Sequence, residues 1–104
     1  CPMDGGDLKL NAKGEPLVAW RRDKQIYFGG LDGKPETLVG EGKNAVVAPG
    51  AEPVVIWQSA EGLRAGSKIL DPKGSFASTA LLSDASTLVA WESADGSIRT
   101  KRIR

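Results

Sequence analysis

Three short stretches decide the fold: PLVAW at 16–20, PVVIW at 53–57 and TLVAW at 87–91. Each ends in one of the chain's three tryptophans, which lie 37 and 34 residues apart in a sequence of 104. Self-similarity at a fixed period is the mark of a repeat architecture. Working outward from each Trp, the same order of segments recurs. Thirteen residues before it stands a short polar residue, Asp7, Asn44 or Ser78. An apolar run follows (LKLNA, AVVA, TALL), then a turn (KGEP, PGAEP, SDAST), then the Val-rich word and its Trp. Beyond the Trp come a second turn (RRDKQ, QSAEG, ESADG) and a third run (IYFGG, LRAGS, SIRTKRI).

Gly, Pro, Asp and Ser fill the turns because they tolerate or preset turn geometry. The runs between them are short and rich in β-branched and aromatic residues, with no 3.6-residue periodicity, so the chain reads as all-β. The Val-rich words are apolar without alternation, the pattern of a strand covered on both faces. An antiparallel meander gains two covered faces only when sheets stack on either side. Three meanders stacked this way read as β-propeller blades, over residues ~5–42, ~43–75 and ~76–104. KPETLVGEG (34–42) and SKILD (67–71) supply fourth strands to the first two units, and KRIR (101–104) is the candidate for the third. A single β-sandwich of about nine strands is the alternative, although a sandwich needs no in-register Trp. Each indole is expected to be a wedge between neighbouring sheets, burying ~150–250 Å². A stacking platform for a sugar is the other role open to it.

Propellers close with about 4–8 blades. Three form an open arc whose end sheets would show apolar faces to water, and such faces mark interfaces. The chain is therefore expected to associate. It would form a six-bladed ring by dimerisation, as a homodimer, or pair with a complementary half-propeller chain.

Composition excludes several classes of function. The net charge of +1 gives no field for nucleic acid or a membrane surface. The basic tail RTKRIR (99–104) reads as a solvated strand face. With no histidine, imidazole acid–base chemistry and the common zinc sites are absent. The single cysteine, Cys1, permits no internal disulfide. Cys1 is open to three readings: an acylated lipoprotein terminus, a partner for a cysteine on another chain, or a point where a longer chain was cut. No run is long and apolar enough for a membrane span, and no signal-peptide pattern is found. No cofactor or metal is expected; DGGD (4–7) is too poor in ligands for calcium.

CPMDGGDLKLNAKGEPLVAWRRDKQIYFGG (1–30) resembles a blade of the sialidase-like β-propellers of exported bacterial proteins. Cys1, Pro2, Gly5, Gly6, Gly14 and Val18–Trp20 carry the match, and the later units echo its strand–turn–VxW part. The resemblance implies a six-bladed ring and an extracytoplasmic, periplasmic or secreted, location. It brings no catalytic residue. The Arg triad, Tyr–Glu pair and Asp acid/base of true sialidases find no match. SADGSI (93–98) is a distant echo of their Asp-box turn, and Tyr27 lies in an apolar run.

In a propeller, the turns between second and third strands share one rim with the connections into each inner strand, and ligands meet such concave rims. Candidate ligand-binding residues are thus Arg21, Arg22 and Asp23 from the first unit, Asn44, Gln58 and Glu61 from the second, and Ser78, Glu92 and Asp95 from the third. The neighbouring Arg21 and Arg22 suit a carboxylate or phosphate. Glu61, Glu92 and Asp95 are the carboxylates that a glycoside hydrolase would need ~5–9.5 Å apart. The functional expectation is a non-catalytic scaffold or binding module. The alternatives are a lectin-like, carbohydrate-binding ring and half of a sialidase-like hydrolase. Equivalent rim positions hold Arg21, Gln58 and Glu92, whose differing charges count against identical sugar sites in each unit.

Overall fold

The Val-rich words form the second strands of three antiparallel meanders. The computed structural model describes residues 6–29, 36–50 and 53–103. Cys1, Pro2 and Gly5, which carry part of the resemblance, and the first half of DGGD (4–7) lie outside them. Sheet 1 is β1 (Gly6–Leu10), β2 (Pro16–Arg22), β3 (Gln25–Gly29) and β4 (Thr37–Glu41). Sheet 2 is β5 (Lys43–Ala48), β6 (Val54–Ser59), β7 (Gly62–Ala65) and β8 (Lys68–Asp71). Sheet 3 is β9 (Ser75–Leu81), β10 (Thr87–Glu92) and β11 (Ile98–Ile103). Within each sheet the strands lie side by side in chain order. Among the described residues the third unit has no fourth strand: Lys101–Ile103 end β11, because IRTKRI (98–103) runs unbroken as one strand.

Two cores hold the sheets together, and each lies between a different pair. Ala19 and Ile26 of sheet 1 meet Val47, Val55 and Trp57 of sheet 2. Ala48, Ile56 and Leu63, on the opposite face of sheet 2, meet Ala77, Val89 and Trp91 of sheet 3. The arrangement is three layers with two interiors, not the two layers and single interior of a sandwich. Trp20 belongs to neither core.

Stacking explains the burial pattern of the repeated word. In β6, Val55, Ile56 and Trp57 are buried consecutively, because both faces of the middle sheet are covered. In β10 burial alternates: Thr87, Val89 and Trp91 are buried while Leu88 and Glu92 are exposed. The sequence alone suggests two covered faces for all three words. The end sheets have one neighbour each, so only the middle word has them.

Each internal Trp seats on the glycine that leads into its own sheet. A Cβ on Gly42 would lie 2.6 Å from Cδ1 of Trp57, and one on Gly74 would lie 2.8 Å from Cδ1 of Trp91; a Cβ on Gly40, in β4, would also lie 2.8 Å from Cζ2 of Trp57. Each indole N–H also reaches back: Trp57 donates to the Glu41 carbonyl at 3.1 Å and Trp91 to the Asp71 carboxylate at 2.9 Å.

The first strands are linked directly. The Asp7 carboxylate accepts the Val47 N–H at 2.8 Å and the Lys9 ammonium at 2.6 Å. The Val47 carbonyl accepts the Thr79 hydroxyl at 2.5 Å. Strand pairing also corrects the spacing inferred from sequence. Asp7 lies opposite Ala19, Val46 opposite Ile56 and Ser78 opposite Ala90, so Val46 rather than Asn44 is the counterpart of Asp7 and Ser78. The three connections are equally long, at five residues (11–15, 49–53 and 82–86), but β6 begins one residue nearer its Trp than β2 and β10 do. The paired residues are therefore ten apart at Val46–Ile56 and twelve apart at Asp7–Ala19 and Ser78–Ala90, which a constant thirteen-residue spacing conceals. Asn44 is level instead with Phe76. Asn44 and Ala45 oppose Trp57 in one bulge, and Phe76 and Ala77 oppose Trp91 in another.

Candidate ligand-binding rim

The β2–β3 connection is a two-residue turn in which Asp23 and Lys24 both have positive φ, 52° and 69°. That geometry matches the twist of the flanking strands and is usually supplied by Asn-Gly. It turns Arg21 and Arg22 to opposite faces of the sheet, because side chains alternate along a strand. The Arg21 Nε–H donates to the Gly42 carbonyl at 2.9 Å, at the entrance to sheet 2. Arg22 pairs instead with Glu36 and lies 4.4 Å from the Tyr27 ring centroid. The Glu36 hydrogen bond, then that of Tyr27, raises its pKa further above the ordinary guanidinium value. The neighbouring arginines therefore do not converge on one anion.

Arg21 does share a cleft of about 300 Å³ with Lys24, Lys43, Gln58 and Ser59. The β2–β3 turn, the connection into β5 and the end of β6 meet there. Asp23 is exposed in the turn beside it. Glu61 lies elsewhere, in a cleft of about 460 Å³ with Trp57 and Glu41, where it pairs with Arg64 at 3.3 Å. The Arg64 guanidinium lies 5.9 Å from the Trp57 ring centroid.

Asp95 lines a third cleft, of about 370 Å³, with Asp71, Lys73 and Arg99. Its Oδ1 accepts the Ser93 hydroxyl, the Ser97 hydroxyl at 2.6 Å and the Ser97 N–H at 3.0 Å. The Ser93 and Ser97 hydrogen bonds hold this carboxyl far below the usual carboxylate range, so it stays ionised and is unsuited to donating a proton. Asp71 is also held low, by the Lys73 N–H and then the Trp91 indole. Glu92 is exposed at the end of β10. Glu61 and Asp95 thus serve separate clefts, and no cleft described here brings together two of the three carboxylates proposed for hydrolysis.

A fourth cleft, about 300 Å³, opens where the first strands begin, lined by Gly6, Asn44, Phe76 and Ser78. Gln58 ties it together: its Oε1 accepts the Asn44 amide at 2.6 Å and the Phe76 N–H at 3.1 Å. Phe76 has φ 54° and is 66% exposed. A bulky residue in the left-handed region is an outlier, and strained residues of this kind cluster at functional sites. The sequence-based site omits Phe76. Its signal is its match to Asn44, a residue type that enters the left-handed region readily, and the shifted register of β5 on β6 hides that match.

Among the described residues no group of three His, Cys, Asp or Glu side chains is placed to hold a metal. No described helix is long and apolar enough to cross a membrane. Compared with known proteins, the chain matches no family model, no curated protein and no solved structure.

Proposed function

We propose that the chain is a three-blade β-propeller body, a non-catalytic scaffold or binding module that forms part of a closed ring. The observation carrying this reading is the repeated junction, in which the Cδ1 edge of Trp57 seats on Gly42 and that of Trp91 on Gly74, each glycine standing just before the first strand of that Trp's sheet. Two successive sheet-to-sheet contacts of the same design are what rotation about an axis produces. The chain of bonds from Asp7 through Val47 to Thr79 adds support, since it draws the first strands together as the inner strands of such a ring would be. The separation of Glu61 from Asp95 favours a scaffold over a hydrolase.

Small-angle scattering and electron microscopy of the purified protein test the reading. A flat ring with a central opening, inert toward fluorogenic sialosides, is the expected result. An elongated stack with no opening would overturn the propeller, and turnover would overturn the non-catalytic role.

Phe76 favours a second reading, a carbohydrate-binding ring. An exposed aromatic ring beside the polar side chains of Asn44 and Ser78 is a chemistry that receives a sugar face. A glycan titration followed by NMR should then shift resonances of Phe76 and Asn44, and Phe76→Ala should abolish the shifts. A screen without binding removes this reading.

A further inference from the structure

The two end sheets carry the two halves of a contact that the molecule already makes twice. On sheet 1, Leu8, Val18 and Trp20 share the face turned away from sheet 2. Cross-strand pairing makes them the counterparts of Val47, Val55 and Trp57, which pack on sheet 1. On sheet 3, Leu88, Ala90 and Ile98 share the face turned away from sheet 2. Their counterparts are Leu17, Ala19 and Ile26 in sheet 1 and Val54, Ile56 and Leu63 in sheet 2.

Burial separates the filled positions from the unfilled ones. Ile26 and Leu63 are 0% exposed, each under the Trp-bearing face of the following sheet, whereas Ile98 is 69% exposed. Val47, Val55 and Trp57 are 3% exposed or less, whereas Leu8 is 54% exposed. Trp20 is half-buried, stacked on Tyr27 at a centroid distance of 6.2 Å and an interplanar angle of 18°. Each Trp-bearing face inside the molecule meets a Leu/Val, Ala/Ile, Ile/Leu face. One unfilled face of each kind remains.

We infer that a second copy of this chain covers both faces, the Leu8–Val18–Trp20 face of one copy seating on the Leu88–Ala90–Ile98 face of the other. The contact is head-to-tail, and using it twice about a two-fold axis joins two chains into six sheets. This deepens the ring reading by naming the partner and the seam, and rests on that reading only for the number of copies. Edge pairing along β11 is disfavoured by Arg99, Lys101 and Arg102, since charge along an edge strand opposes strand addition.

The test is light-scattering mass for the whole chain, for Trp20→Glu, for Ile98→Lys and for an equimolar mixture of the two variants. Circular dichroism confirms that each is folded. The wild type is expected at twice the chain mass and each variant alone at half that value. Their mixture should regain the two-chain mass, because one seam is then native and the other sets Glu against Lys. Ile98→Lys alters a residue already exposed in the single chain, so it remains informative even if Trp20→Glu does not fold. A wild type that stays at the single-chain mass at ~100 μM assigns the faces to other sheets or another partner and overturns the inference. Variants that keep the wild-type mass overturn it too, as does a mixture that does not recover. Larger assemblies abolished by both variants would support the seam while overturning the two-chain ring.

Discussion

Ile26, Leu63 and Ile98 occupy one structural position in three settings, so one substitution made three times is informative. Ile26 and Leu63 are fully buried between sheets and Ile98 is 69% exposed. Truncating Leu63 to Ala removes buried apolar surface worth part of the ~1.5–3 kcal/mol gained by burying such a side chain. It also leaves a cavity against Trp91 and Gly74, bringing the expected loss to about 2–5 kcal/mol. Ile26→Ala, beneath Trp57, should cost the same. Against a total stability of ~5–15 kcal/mol for an ordinary domain, either loss is severe. Ile98→Ala should change the single chain by no more than ~0.5 kcal/mol. The assay is urea unfolding at a concentration where light scattering gives the single-chain mass, with m compared across variants to confirm a common unfolding transition. At high concentration, with the proposed seam formed, Ile98→Ala should become as costly as the others. A dilute chain in which Ile98→Ala costs as much as Leu63→Ala, or in which Leu63→Ala costs less than about 1 kcal/mol, would refute the positional equivalence.

Gly40→Ala and Gly74→Ala each drive a Cβ to 2.8 Å from a packed indole, so each should destabilise by about 1–3 kcal/mol, read from denaturant midpoints. The Thr87 hydroxyl is buried with no hydrogen-bond partner among the described residues, so Thr87→Val should stabilise by roughly 1 kcal/mol; a loss on calorimetry would mean that the oxygen has a partner. Phe76→Asn should relieve left-handed strain and raise stability by about 1 kcal/mol, provided the bulge persists. Asp71 and Asp95 are held below the ordinary carboxylate range in the fold, so their contribution is complete above about pH 4 and is lost as pH falls through the lower folded-state values. Melting temperature should therefore be steady from pH 7 to 5 and fall below pH 4, less steeply in Asp71→Asn and Asp95→Asn; a flat profile down to pH 2 would contradict this.

The all-β class and the three antiparallel meanders were legible because the Trp-ended words and their turn residues repeat. The unequal burial of those words was not, since covering depends on how many neighbours a sheet has and each word looks alike. Register was hidden for a related reason. A hairpin register shifted relative to the Trp moves Asn44 out of line with Asp7 and Ser78, and only hydrogen-bond pairing reveals it. For the candidate site, the rim turns could be read from composition, and the structure brings Arg21 and Gln58 to one cleft. The divergence of Arg21 from Arg22 follows from strand alternation combined with partners distant in sequence, Gly42 and Glu36. Phe76 was missed because nothing local to GSFAS marks its backbone as left-handed.

Val47 receives Asp7 on its N–H and Thr79 on its carbonyl, so a single peptide segment is held from both neighbours. Neither outer meander can complete its inner contacts before the middle one is formed. The order of events is thereby constrained: substitutions around β5 and β6 should slow folding, while those in β1–β2 or β10–β11 should chiefly hasten unfolding. The three similar units would then melt as one body, with the central one as the step on which the others wait.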